Sequence, residues 1–356
     1  MNGEKRNEVT VESRAHRFRL VWAVFLPETH LHASLLTHNR KGFDMKAWQF
    51  IGVGKPLTVN EAPEPRPAAD ELVIEMKAAG LCHSDVGFLD GTLSSILPFA
   101  PITLGHEIAG VVSAIGANVT EFAVGDKVGV PAAREGPGVS TNGGFAPRVG
   151  VKEHLVVHIP DEVPFDQAAA ATDAGLTSYH AVMVRGQVQA GMKVGIIGLG
   201  GLGSLGAQTA IATGAQVYVA EVNENVHEYA RQIGASGVST AITAFKEDEL
   251  DVIIDFAGFG TTTAAAIETV KFGGRVVQVG LARETGTINL NTLTINSLDL
   301  VGSVAGTKED CIEVLRCVAA GKLSSRITTI GFDQIGEGIA KLEQGEVIGR
   351  LVALFD

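Results

Sequence analysis

The sequence predicts an α/β protein in which a doubly wound parallel sheet is joined to a separate β-rich domain. From Gly191 onward, continuous apolar runs alternate with helical stretches, the pattern of strands buried on both faces of a parallel sheet. From Lys46 to about Pro160, short runs rich in β-branched residues are separated by Gly and Pro turns, as in antiparallel sheets and barrels. A length of 356 residues suits two such domains.

Residues 1–44 show no clear hydrophobic periodicity and read as a flexible N-terminal extension. Arg14, Arg17 and Arg19 precede the apolar run Leu20 to Leu26. That run is short for a signal peptide and lacks a small-residue cleavage site. A strand-like pattern begins at Met45, and further strands are expected at "ELVIEMKAAG" (71–80), "EIAGVVSAIG" (107–116) and "DKVGV" (126–130). Parallel strands are expected near 193–197, 216–220, 237–240, 251–256, 275–280 and 299–304, with helices such as Lys308 to Gly321 among them. From Ser324 the chain returns to short strands that close the first domain. The expected division is thus 45–182 with 324–356 as the β-rich domain, and 183–323 as the parallel-sheet domain.

The net charge of -12 argues against nucleic acid, whose phosphates require clustered Lys and Arg. No apolar run reaches the roughly 18 residues of a membrane span. Three cysteines, Cys82, Cys311 and Cys317, are too few for a disulfide framework, so a reducing, cytoplasmic setting is expected.

Gly198, Gly200 and Gly203 form a G-x-G-x-x-G pattern with Leu199, Gly201 and Leu202 between them. The pattern follows the apolar run Val194 to Ile197 and opens a helical stretch, the context of a Rossmann dinucleotide motif. Amides at the helix N-terminus hold a pyrophosphate, Gly200 lets the backbone approach it, and Gly203 lets helix and strand pack closely. Glu221 follows Gly203 by 18 positions, near the offset of about 20 at which an acid binds the adenosine ribose. An acid there repels a 2′-phosphate and Glu224 adds to the repulsion, so NAD is expected over NADP.

Gly80-Leu81-Cys82-His83-Ser84-Asp85 and Gly105-His106-Glu107 precede this motif. Singly, Cys82 reads as a small buried hydrophobe and His106 as a core histidine. Together with "GHEIAGVVSAIG", "GDKVGV", "IGLGGLG" and the closing "GRLV", they resemble the zinc-dependent alcohol dehydrogenases of the medium-chain dehydrogenase/reductase superfamily, over about Met45 to Asp356. The resemblance implies a GroES-like catalytic domain beside the Rossmann domain. It implies a catalytic zinc on Cys82, His106 and a third ligand that is usually Cys. In this chain Asp173 stands at the third position, as in some secondary alcohol dehydrogenases, and a carboxylate oxygen is an ordinary zinc ligand. The alternative for Asp173 is a helix cap without metal.

The same resemblance assigns Ser84 to hydrogen-bonding the reacting alcohol oxygen and Asp85 to orienting His106. It makes Glu107 an acid beside the metal that coordinates it transiently. His83 and Arg350 become cofactor phosphate contacts, and Thr177 a contact on the nicotinamide side. Three departures stand out. The cysteines of the family's structural zinc lobe are missing, since none lies between Cys82 and Cys311; one zinc per chain is therefore expected. Gly87 occupies the position of a relay histidine. Leu93 stands where ethanol-specific relatives carry Trp, and with apolar Phe88 and Leu281 it favours secondary or bulkier hydrophobic alcohols and ketones. A small-molecule alcohol or carbonyl substrate and a dimer or tetramer built through the edge strand near Asp299 to Ala305 complete the expectation. The competing readings are a zinc-free reductase of quinones or activated double bonds, and a non-catalytic nucleotide-binding relative.

Overall fold

The structure, a computed structural model, describes residues 44–356. The expected extension lies outside the described residues except for Asp44, which opens the strand Asp44–Phe50.

Six strands form one parallel sheet in the spatial order Gly237–Ser239, Gln216–Ala220, Lys193–Ile197, Val252–Asp255, Arg275–Gln278, Asp299–Gly302. Every neighbouring pair is parallel. The chain thus starts near the centre, winds to one edge, and then winds from the centre to the other. That is the doubly wound Rossmann order, which opens a crevice at the carboxyl ends of the strands beside the reversal point. Val194, Ile196, Val217, Val219, Ile253, Ile254, Val276 and Val277 are fully buried, the physical cause of the unbroken apolar runs in the sequence.

The second sheet has seven strands and is built around the long strand Glu71–Leu81. One edge of that strand pairs with Glu107–Ile115. Its other edge is shared, the first half pairing with Arg148–Lys152 and the second with Arg350–Leu354. Lys127–Val130 and Val157–His158 extend the Glu107 side. A smaller sheet joins Asp44–Phe50 to Thr58–Pro63 and Ile102–Thr103.

Two features depart from the sequence reading. The segment after Ser324 is more than short strands, because Ile327–Gly331 and Arg350–Leu354 pair in parallel and the helix Ile335–Glu343 lies between them. A parallel pair needs a crossover, and the buried Ile335, Ile339 and Leu342 recur at helical spacing along it. The helical run beginning at Phe165 changes its winding three times, with π-helical turns at Ala171–Gly175 and His180–Arg185 flanking the α-turn Leu176–Tyr179.

Candidate functional site

The pairing of Glu71–Leu81 with Glu107–Ile115 assembles the centre of the site, since it places Gly80 opposite Glu107. The next residue after the first strand, Cys82, caps the helix His83–Asp90, and its backbone N–H donates to Asp85 Oδ2 at 3.0 Å. His106 directly precedes the second strand. Asp173 arrives from the π-helical turn Ala171–Gly175. It sits inside a helical run and not at the N-cap of the run, and π-turns are frequent at functional sites.

Cys82 Sγ lies 3.5 Å from Asp173 Oδ2, and His106 Nε2 lies 3.7 Å from the same oxygen. One ligand atom from each of Cys82, His106, Glu107 and Asp173 falls within 4.8 Å of all the others. Tetrahedral zinc bonds of about 2.0–2.3 Å would set neighbouring ligand atoms roughly 3.3–3.6 Å apart. Cys82, His106 and Asp173 are therefore spaced to hold one metal ion. A second observation supports the fit. His106 Nδ1 and Asp85 Oδ1 are buried, have no other hydrogen-bond partner, and face each other at 3.5 Å. A metal held at Nε2 leaves Nδ1–H to that carboxylate, the usual partner of a ligating imidazole.

Burial opposes charge on His106, but the Asp85 charge and hydrogen bonds to Asp173, Asp85 and Cys82 outweigh it and leave the imidazole strongly basic. Burial likewise opposes charge on Asp173. The hydrogen bond and charge of His106, with Cys82 and Thr177, nevertheless hold its carboxyl below the usual range.

Arg350 opens the strand Arg350–Leu354 and is 5% exposed. Its Nε donates to Glu107 Oε2 at 3.1 Å and its Nη2 to Asp173 Oδ2 at 3.2 Å, and Nη2 also ion-pairs with Glu107 Oε1. Sequence reasoning had no means of finding these contacts, which join positions 243 and 177 residues apart. Ser84 borders the cluster, its Oγ 3.6 Å from Cys82 Sγ. His83 lies near Arg350, and burial followed by the Arg350 charge lowers its pKa. Thr177 Oγ1 donates to Asp173 Oδ1 at 3.2 Å.

The glycine loop lies against this cluster. Gly198 has φ +85, in the left-handed region open to glycine. A side chain at Gly203 would overlap the Gly198 carbonyl, whereas one at Gly200 would meet nothing within 4 Å. Gly200 thus borders open space at the start of the helix Gly201–Ala212, where an approaching phosphate meets free amides. Leu202 anchors the loop to the Asp173 helix, its carbonyl accepting from Ser178 Oγ at 2.7 Å. Glu221 Oε2 accepts from the Leu199 N–H at 2.6 Å and Oε1 from the Asn223 N–H at 2.8 Å.

A family model for zinc-binding dehydrogenases matches residues 201–320, and one for the alcohol dehydrogenase GroES-like domain matches residues 68–161. An alcohol dehydrogenase of Geobacillus stearothermophilus is 30% identical over 342 residues, covering 88% of this chain and 100% of the relative. The chain belongs to the zinc-dependent alcohol dehydrogenases of the medium-chain dehydrogenase/reductase superfamily. It is similar to an NAD-dependent alcohol dehydrogenase of Saccharolobus solfataricus, 29% identical over 87% of this chain and 100% of that one. Among solved structures it resembles an acetophenone reductase from Geotrichum candidum in complex with NAD. That match has a TM-score of 0.81 and 31% identity, and covers 88% of this chain and 97% of the other.

Two of the segments singled out in the sequence of this zinc-dependent alcohol dehydrogenase have a definite place in the structure. Leu93 packs onto Gly87: a Cβ at Gly87 would lie 2.9 Å from Leu93 Cδ1 and 3.0 Å from Leu93 Cγ. The glycine and the leucine, read separately in the sequence, are one packing unit. Phe88 is a core residue, and Leu281 is 70% exposed. The cysteine-free segment 131–144 ends by bracing the residues that lead into His106. The Gly143 N–H donates to the Thr103 carbonyl at 2.8 Å, the Gly144 N–H to the Gly105 carbonyl at 2.7 Å, and the Thr103 N–H to Asn142 Oδ1 at 3.0 Å. Among the described residues, no helix is long and apolar enough to cross a membrane.

Proposed function

We propose that this alcohol dehydrogenase uses NAD, holds a single catalytic zinc on Cys82, His106 and Asp173 with no structural zinc, and interconverts secondary or bulky hydrophobic alcohols and their ketones. The observation that carries the reading is the convergence of Cys82 Sγ and His106 Nε2 on Asp173 Oδ2, at 3.5 Å and 3.7 Å. Residues 45–182 with 324–356 form the catalytic domain and residues 183–323 the cofactor domain. The substrate class is supported by Leu93 in place of a bulkier aromatic and by the similarity to an acetophenone reductase. A reducing, cytoplasmic setting and a homo-oligomer built through the edge strand Asp299–Gly302 complete the proposal. Leu300 and Val304 are exposed at that edge.

Bound in their sites, zinc supplies Lewis acidity toward a substrate oxygen and NAD supplies the hydride acceptor. The chain's own residues do the rest. Asp85 fixes the orientation of His106 through Nδ1. Ser84, at the rim of the cluster, would accept the proton of the substrate hydroxyl, and the bound cofactor would lie on its far side. Glu107, held by Arg350, stands beside the ligands as a second carboxylate. Gly200, Gly201, Leu202 and Gly203 present amides to the pyrophosphate, with His83 and Arg350 beside them and Thr177 on the nicotinamide side. Glu221 receives the adenosine ribose and repels a 2′-phosphate. Because Gly87 carries no base, release of the proton from the site would fall to water or to a group other than residue 87.

The test is zinc quantification beside a panel of primary and secondary alcohols and ketones with NAD and NADP. One zinc per chain, preference for NAD, and faster turnover of secondary or aryl substrates are expected. Less than about a tenth of a zinc per chain, with activity indifferent to chelator, would overturn the reading.

A further inference from the structure

A single guanidinium joins the two halves of the site. Arg350 contacts Asp173 Oδ2 at 3.2 Å, the same oxygen that faces Cys82 Sγ and His106 Nε2, and it contacts Glu107 Oε2 at 3.1 Å. Its opposite flank lies under the cofactor loop, where Nη1 and Cδ stand 3.0 Å and 3.2 Å from the position of a Cβ on Gly201. Gly201 is the first residue of the helix whose N-terminal amides face a pyrophosphate.

We propose that Arg350 couples cofactor occupancy to metal affinity, so that each ligand tightens the other; this rests on the metal and cofactor sites proposed above. The sign follows from charge. The carboxylates of Asp173 and Glu107 face the guanidinium on one side and the proposed metal position on the other, so Arg350 and the metal share these anions. A pyrophosphate at the Gly201 amides offers the guanidinium a competing anion on its other flank. As Arg350 turns toward it, its hold on Asp173 and Glu107 weakens and their oxygens become stronger ligands. Such coupling is reciprocal by linkage, and it requires no movement beyond one side chain.

The experiment measures the zinc dissociation constant of the metal-depleted protein by chelator competition, with and without saturating ADP-ribose. This probe carries the pyrophosphate but no nicotinamide. Zinc should bind at least about fivefold tighter with ADP-ribose present, and zinc should tighten ADP-ribose by the same factor. In Arg350→Gln the factor should fall to within about twofold of one, with Arg350→Lys intermediate. Zinc binding that ignores ADP-ribose in the wild-type protein, or full coupling retained in Arg350→Gln, would overturn the link alone. Absence of zinc binding would overturn the metal site on which it rests. The wild-type measurement can overturn the link even if both variants misfold, since a zinc affinity that ignores ADP-ribose leaves Arg350 nothing to couple.

Discussion

The Thr177 hydroxyl donates to Asp173 Oδ1 at 3.2 Å from one helical turn away, which turns Oδ2 toward Cys82 and His106. Residues that orient a ligating carboxylate commonly contribute about 10- to 100-fold in metal affinity. Thr177→Val should therefore weaken zinc binding by roughly that factor while the circular dichroism spectrum stays unchanged, and Thr177→Ser should restore it. Asp173→Ala should lose zinc and activity together. Full zinc occupancy in Asp173→Ala would remove it from the ligand set.

Gly200 and Gly203 separate binding from folding. Gly200→Ala adds a methyl to open space, so its melting temperature should stay within about 2 °C of wild type while NADH affinity falls. Gly203→Ala drives a methyl into the Gly198 carbonyl. It should cost about 1–3 kcal/mol of stability or block folding outright. Thermal melts and NADH fluorescence titration measure the two effects.

Glu221 supports the glycine loop through the Leu199 amide and carries the charge expected to select NAD. Hydrogen bonds to a charged group contribute about 1.5–3 kcal/mol. Glu221→Ala should raise KM for NAD by about 10- to 100-fold and narrow or reverse the preference over NADP. An unchanged ratio of kcat/KM values would refute the assignment.

Gly87 and Leu93 should behave as a coupled pair. The Gly87→His side chain meets Leu93, so Leu93→Ala should be better tolerated beside Gly87→His than alone. A double-mutant cycle in urea should give a favourable coupling of about 0.5–3 kcal/mol. In the double variant, proton release can pass through residue 87, and turnover at low pH should rise if that step is slow.

Asp251 predicts one acid-sensitive part of the stability. Burial pushes its pKa up, but the hydrogen bond and charge of Lys271 and the Lys193 backbone N–H hold the carboxyl below its ordinary range. The depressed value means that its contribution is present at neutral pH and lost as pH falls through the folded-state value. Asp251→Asn should lower the urea midpoint at pH 7, and the difference should shrink as pH falls below the ordinary carboxylate range.

Legibility in the sequence followed from how local each cause was. Runs such as Val252–Asp255 and Arg275–Gln278 showed the parallel sheet because burial on both faces leaves its mark on consecutive residues. The glycine loop stood out because its spacing is itself the motif, and Cys82 and His106 stood out through the family resemblance of the segments that carry them. The helix Ile335–Glu343 was visible in its periodicity but hidden by short flanking strands. The π-turn carrying Asp173 leaves no such mark, since the backbone register sets it and not a residue type. The Arg350 contacts and the bracing of the Gly105 carbonyl by Gly144 depend on which backbone arrives from far along the chain.

That distance also dictates an order of assembly. Cys82, His106, Glu107 and Asp173 all precede residue 180, but the cation that neutralises two of them comes with the strand Arg350–Leu354. Synthesis delivers the anionic residues of the site first, then the residues of the whole parallel sheet, and only afterwards the counter-charge. Contacts of such long sequence separation form slowly. A product cut short between the two stages would carry a finished nucleotide fold beside an unbalanced cluster of acids.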